Sequence, residues 1–147
     1  MDNKSLDIIL FGATSFVGQI ATKYLYEHIG LDSEIKWAIA GRSEKKLNQI
    51  KAALGPDADA IPLLVADSAD TESLNRLCQQ TRVILSTVGP YALYGEPLIE
   101  ACVSQGIDYC DLTGEAYWIK KMLDKYELAA QKSGARIINC CGFDSIP

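Results

Sequence analysis

Short, continuously apolar runs alternate with helical periodicity along the whole of this chain. The runs at residues 7–11, 35–40, 61–66, 82–87, 108–111 and 136–141 mostly lack a regular polar face. Such strands must be covered on both sides, as parallel strands under helices are. Between them Val17, Ile20, Ala21, Tyr24, Leu25 and His28 recur at helical spacing, and this face is expected against the core. Leu47, Ile50 and Leu54 share a second face, and Ile119, Met122, Leu123, Tyr126 and Ala130 a third. Segments 74–80 and 95–105 carry weaker helical patterns. Gly30, Gly55-Pro56, Gly106 and Gly134 stand where these helices should stop.

Six strands joined by helices imply right-handed crossovers. The expected fold is α/β, a Rossmann-type doubly wound parallel sheet of about six strands with helices on both faces. The expected strand order is 3-2-1-4-5-6, with a ligand crevice at the carboxyl edge beside strand 1. The 147 residues suit one domain, with no internal repeat, low-complexity stretch or linker.

Composition narrows the function classes. A formal net charge of −5 argues against a general nucleic-acid surface, which needs clustered Lys and Arg. No stretch approaches the ~20 apolar residues that span a bilayer. Residues 1–5 lack the apolar run of a secretory signal, so the chain reads as cytoplasmic. Membrane or lipid association through a further part of the protein stays open. The five cysteines, Cys78, Cys102, Cys110, Cys140 and Cys141, contain no Cys-x-x-Cys, and there is one histidine. No metal site is expected from that set. The thiols read as buried and reduced, with a redox role for Cys140-Cys141 as the lesser alternative.

The first strand runs into Gly12-Ala13-Thr14-Ser15-Phe16-Val17-Gly18 and then a helix. Gly12 permits a tight turn, Gly18 lets the helix pack on the sheet, and the helix-start N–H groups can hold a pyrophosphate. The candidate cofactor contacts here are Gly12, Thr14, Ser15, Phe16, Val17 and Gly18. Ser15 takes the middle position where glycine is usual; its hydroxyl could donate to a phosphate. The alternatives are a purely structural turn, or S-adenosylmethionine, which would require an acidic residue after strand 2.

Strand 2 ends instead in Ala40-Gly41-Arg42-Ser43. An NAD enzyme places Asp or Glu here for the ribose hydroxyls. A guanidinium grips a 2′-phosphate, so Arg42 and Ser43 point to NADP, with NAD less favoured. Lys45 and Lys46 alone read as a solvated helix face, and Glu44 lies past the turn. Asp67, ending strand 3, either lies beside adenine or caps the next helix. Strand 4 leads into Val88-Gly89-Pro90, which should line the nicotinamide side with Tyr91 and Tyr94 nearby. Asp111, Thr113 and Glu115 after strand 5 could face a substrate or cap the following helix, and we read them as caps. No catalytic pair is evident, and His28 reads as structural.

Three runs carry a resemblance. They are Thr87-Val88-Gly89-Pro90-Tyr91-Ala92-Leu93-Tyr94-Gly95-Glu96-Pro97, then Asp108-Tyr109-Cys110-Asp111-Leu112-Thr113-Gly114-Glu115, and Cys141-Gly142-Phe143-Asp144-Ser145-Ile146-Pro147. Together they resemble the saccharopine dehydrogenase-like oxidoreductases, a group that includes trans-acting enoyl reductases of lipid biosynthesis. The resemblance implies an N-terminal NADP-binding domain of a protein roughly two to three times longer. By position, Gly12, Ser15 and Gly18 would form the phosphate loop, Arg42 the 2′-phosphate contact, and Gly89 and Pro90 the nicotinamide side. The expected activity is hydride transfer between NADP(H) and an organic substrate. The alternatives are enoyl reduction of a lipid or polyketide precursor, or a non-enzymatic dinucleotide-sensing or scaffold domain. The chain is expected to be a truncated piece whose missing domain holds the small-molecule substrate and any homodimer contact.

Overall fold

The computed structural model describes residues 4–146. Six strands form one all-parallel sheet: β1 (Leu6–Phe11), β2 (Trp37–Gly41), β3 (Leu63–Val65), β4 (Thr81–Ser86), β5 (Asp108–Asp111) and β6 (Ile137–Ile138). Their order is β3-β2-β1-β4-β5-β6, as the alternation of strand and helix patterns implies. The order reverses at β1, where Ile8 pairs with Trp37 on one side and Val83 on the other.

Six α-helices connect the strands: α1 (Phe16–Tyr24), α2 (Glu44–Leu54), α3 (Thr71–Gln80), α4 (Tyr91–Tyr94), α5 (Glu96–Gln105) and α6 (Ala116–Ser133). Alternate residues of β1 feed two cores. Ile9 and Phe11 join Leu74, Leu98, Ile99, Trp118 and Met122 from α3, α5 and α6. Leu10 joins Ile39 and Leu47 with the half-buried Ala21 of α1 and Leu25 just beyond its end. Burying an apolar side chain contributes ~1.5–3 kcal/mol, so a central strand covered on both faces anchors the domain. Gly106 at φ 67 and Gly134 at φ 84 end α5 and α6 in the left-handed conformation expected of them.

The structure departs from the sequence pattern at several places. β2 starts at Trp37 rather than residue 35, because Ser33 accepts the amide of Ile35 and folds that segment into a turn. β3 is shorter than residues 61–66, since Ile61 closes the 3-10 turn over Pro56–Ala60. β6 stops at Ile138 rather than 141, with Cys140 turned to φ 61. The largest correction concerns α1. Gly18 and Thr22 face the sheet, while Ile20 is 55% and Tyr24 58% exposed, and His28 stacks on Tyr24 outside the core with ring centroids 4.3 Å apart. Small residues bring this helix close to the sheet, and its large apolar side chains are left on the outer face.

The thiols also divide. Cys78 and Cys102 are buried with their Sγ atoms 3.8 Å apart, but Cys110 and Cys140 are half-buried and Cys141 is exposed. Among the described residues, no helix is long and apolar enough to cross a membrane.

Candidate nucleotide-binding site

The carboxyl ends of β1, β2 and β4 open onto one crevice of about 240 Å³. Gly12, Thr14, Ser15, Arg42, Val88, Gly89 and Tyr94 line it, together with Phe11, Gly41, Ser68 and Thr87. A lone hydroxyl after a strand carries no pattern, so the sequence by itself gives Ser68 and Thr87 no role in the crevice.

Gly12 has φ 90, and a Cβ there would come within 2.7 Å of both Thr87 Oγ1 and Val88 Cγ2. A side chain is therefore excluded by conformation and by space. Gly18 does not line the crevice. It is buried where α1 crosses the loop. Ser15 is the N-cap of α1, and its Oγ accepts the Gly18 amide at 2.9 Å. The same Oγ lies 3.1 Å from Thr87 Oγ1. The Ser15 hydroxyl is thus held between the Gly18 amide and Thr87 at the edge of the crevice.

The phosphate-binding capacity lies in the backbone. Among the described residues nothing accepts the amide N–H of Thr14, Phe16 or Val17, all at the start of α1. The first turn of a helix leaves such donors unsatisfied and carries partial positive charge. The Phe16 and Val17 side chains point to solvent, so their fit to a cofactor is through these amides.

Arg42 is exposed on the crevice wall, and no carboxylate among the described residues pairs with it. Ser43 does not line the crevice. Its Oγ accepts the Lys46 amide at 3.3 Å and caps α2. Asp67 is not the cap of α3: that role falls to Asp70, whose carboxylate accepts from Glu72 and Ser73. Asp67 instead accepts the Ala69 amide at 2.9 Å and holds the turn that presents Ser68 to the crevice.

On the β4 side, Val88 and Gly89 reach the crevice and Pro90 follows through a cis peptide. Tyr94 lines the crevice, but Tyr91 does not. Its hydroxyl is buried and donates to the Ser86 carbonyl at 2.9 Å. Burial pushes that hydroxyl up to about 12.

The loop after β5 does not cap α6 with its side chains. Glu115 accepts the amides of Tyr91 at 2.7 Å and Ala92 at 3.1 Å, and so holds the start of α4. Buried Asp111 accepts from the Tyr109 hydroxyl, the Thr113 and Cys140 amides and the Asn139 side chain. Thr113 Oγ1 accepts the Glu115 amide at 3.1 Å. These polar groups bind the β4, β5 and β6 loops together instead of capping the following helix.

Amides at a helix start that are free among the described residues, an exposed guanidinium after β2 and a glycine that admits close approach together suit a phosphorylated dinucleotide. Comparison with known proteins agrees. Residues 8–138 match the family model described as the saccharopine dehydrogenase NADP binding domain. The chain is 44% identical over 147 residues to the trans-acting enoyl reductase of Mycobacterium leprae, covering 99% of this chain and 34% of that protein. The enzyme of the same name from Mycobacterium bovis BCG is 44% identical over 144 residues, again covering 34% of its length. The chain thus spans about a third of the curated relatives it matches.

Among solved structures, saccharopine dehydrogenase (L-Glu forming) from Saccharomyces cerevisiae superimposes with a TM-score of 0.75 at 18% identity, covering 96% of this chain and 28% of that one. Citrobacter triphenylmethane reductase complexed with NADP(H) gives 0.62 at 14% identity, covering 90% and 48%. These structural likenesses show the fold, and the matched family model spans most of the sequence. The chain belongs to the saccharopine dehydrogenase NADP-binding domain family.

Proposed function

We propose that this chain is the nucleotide-binding domain of a longer NADP-dependent oxidoreductase that reduces a carbon–carbon double bond in a lipid or polyketide precursor. The single observation that carries the cofactor reading is Arg42, an exposed guanidinium on the crevice wall where an NAD enzyme would hold a carboxylate. The relatives named trans-acting enoyl reductase support the substrate class.

In this reading the amides of Thr14, Phe16 and Val17 bind the pyrophosphate, with Gly12 and Gly18 allowing the approach. Arg42 binds the 2′-phosphate, beside Ser43 and the Asp67 turn. Val88, Gly89 and Pro90 shape the nicotinamide side. NADPH supplies the hydride when bound, and the protein's part is to orient it. Residues that hold the substrate, move a proton or join a homodimer belong to the remainder of the longer protein. Free cysteines suit a reducing compartment, which supports the cytoplasm.

Dissociation constants for NADPH and NADH on wild type and Arg42→Ala test the cofactor reading. Losing a charge-assisted contact costs ~1.5–3 kcal/mol, or about 10- to 150-fold in affinity. NADPH should weaken by that much and NADH hardly at all. Equal weakening of both would reduce Arg42 to a support of its loop. For the substrate class, the full-length protein should consume NADPH with an α,β-unsaturated acyl thioester, while residues 1–147 alone should bind NADPH without turnover. A full-length protein that binds NADPH and reduces no enoyl substrate would favour a sensing or scaffold role.

A further inference from the structure

Thr87 sits where β4 leaves the sheet, is buried, and touches the phosphate loop at three places. Its Oγ1 lies 2.9 Å from the Gly12 carbonyl oxygen, 3.3 Å from that of Phe11 and 3.1 Å from Ser15 Oγ. A threonine hydroxyl has one proton, and a carbonyl has none. Toward Gly12 the donor is therefore Thr87. The contact with Ser15 must then use the Ser15 proton, while Ser15 Oγ accepts the Gly18 amide. The protons run in one direction: Gly18 N–H to Ser15 Oγ, Ser15 O–H to Thr87 Oγ1, and Thr87 O–H to Gly12 O. The Ser15 amide also donates to Gly12 O at 3.0 Å, which closes the chain into a ring.

We infer that Thr87 is a positioning residue of the cofactor site, locking the phosphate loop to the Val88–Pro90 loop through Ser15 so that both halves of a dinucleotide meet one preorganised surface. This explains a serine at the loop position where glycine is usual: glycine would leave the loop without its tether. It also explains why neither hydroxyl is spare for a phosphate. The fit at Gly12, where a Cβ would meet Thr87 Oγ1 at 2.7 Å, shows how closely the two loops are set. Holding binding groups in place before the ligand arrives saves the cost of ordering them later.

The inference rests on reading the crevice as the NADP site, and the experiment separates the two. Full-length wild type, Thr87→Val and Thr87→Ser are titrated with NADPH and with adenosine 2′-monophosphate, which can reach Arg42 but has no 5′-phosphate to meet the loop amides and no nicotinamide. Thr87→Val keeps the shape and removes the hydroxyl. It should weaken NADPH roughly 5- to 30-fold, the range expected for one to two lost hydrogen bonds, and leave the monophosphate unchanged. Thr87→Ser should restore NADPH affinity. Ser15→Gly cuts the tether from the other side, should show the same split, and carries the test if Thr87→Val does not fold. The double variant should cost less than the sum of the two single ones, since both break the Ser15–Thr87 link. Wild-type NADPH affinity in Thr87→Val, equal loss in Thr87→Val and Thr87→Ser, or equal weakening of both ligands would each overturn the inference. A wild type that binds neither ligand would overturn the NADP reading itself.

Discussion

A Cβ placed on Gly18 would stand 2.1 Å from the carbonyl oxygen of Gly12. The next atoms it would meet, at 2.8 and 2.9 Å, belong to the Ala13 backbone. No side chain can rotate away to make room, so one added methyl must push α1 off the loop. Gly18→Ala should therefore destabilise at or beyond the ~1–3 kcal/mol typical of overpacking and should also weaken NADPH, because the free amides ride on that helix. Thermal unfolding and NADPH titration on the same variant check this. A variant with wild-type stability would mean that the helix and loop separate more easily than their contact suggests.

Tyr91 invites a catalytic reading because it follows Gly89-Pro90 at the nicotinamide side. Its hydroxyl is instead spent on the Ser86 carbonyl, and its ring packs on Trp118 with centroids 5.6 Å apart. Tyr91→Phe should cost about 0.5–1.5 kcal/mol of stability for the lost hydrogen bond and leave NADPH affinity as it was. Full-length enzyme should keep its turnover. Lost turnover in a folded, NADPH-binding Tyr91→Phe protein would place the hydroxyl in the chemistry.

Asp108 and Arg136 lock the starts of β5 and β6. The carboxylate accepts the Arg136 amide at 3.0 Å and Nε at 3.0 Å, and pairs with the guanidinium terminus. Hydrogen bonding from Arg136 holds the Asp108 carboxyl below its ordinary value. A depressed folded-state value means that the native state keeps its charge where the unfolded chain has begun to take up a proton. The stabilisation is fully present above the ordinary aspartate range near 3.9, and is lost as pH falls from there through the lowered value. Wild type should thus exceed Asp108→Asn in melting temperature at neutral pH, and the gap should shrink below about pH 4. A gap independent of pH would assign the effect to the side chain's shape rather than its charge. Raised salt should also narrow the gap, since the guanidinium is exposed.

The parallel sheet was legible because β1 and β2 have no polar face, and a strand buried on both sides needs a sheet covered by helices on both faces. The crevice was legible for a similar reason: Gly12 and Gly18 stand at the spacing a strand-to-helix phosphate loop requires, and Arg42 stands where β2 ends. What was not legible is which helix surface turns inward. Periodicity groups Ile20 with Tyr24, but packing follows the small residues Gly18 and Thr22, which let α1 approach more closely. The partner of Ser15 was equally hidden, since Thr87 lies 72 residues away and no local pattern links two hydroxyls. Asp67 and Asp70 offer the same cap chemistry three residues apart, and only the backbone path decides between them.

The exposed position of Arg42 on the crevice wall also leads to a reversal of cofactor preference. Arg42→Asp replaces a donor for the 2′-phosphate with an acceptor that repels it and can take hydrogen bonds from free ribose hydroxyls. NADPH affinity should fall further than in Arg42→Ala, whereas NADH affinity should rise above that of Arg42→Ala. Salt gives an independent reading on wild type. Exposed charge pairs are screened over ~10 Å at 0.1 M and ~3 Å at 1 M ionic strength. Both cofactors share the pyrophosphate held by loop amides, so salt acts on that part of both alike. Only NADPH adds the contact with Arg42, so its dissociation constant should rise more steeply with salt than that of NADH. In Arg42→Ala the two slopes should become closer. If the NADPH slope is as steep without the guanidinium as with it, another cation meets the 2′-phosphate, and Lys45 and Lys46 on the first turn of α2 become the residues to substitute next.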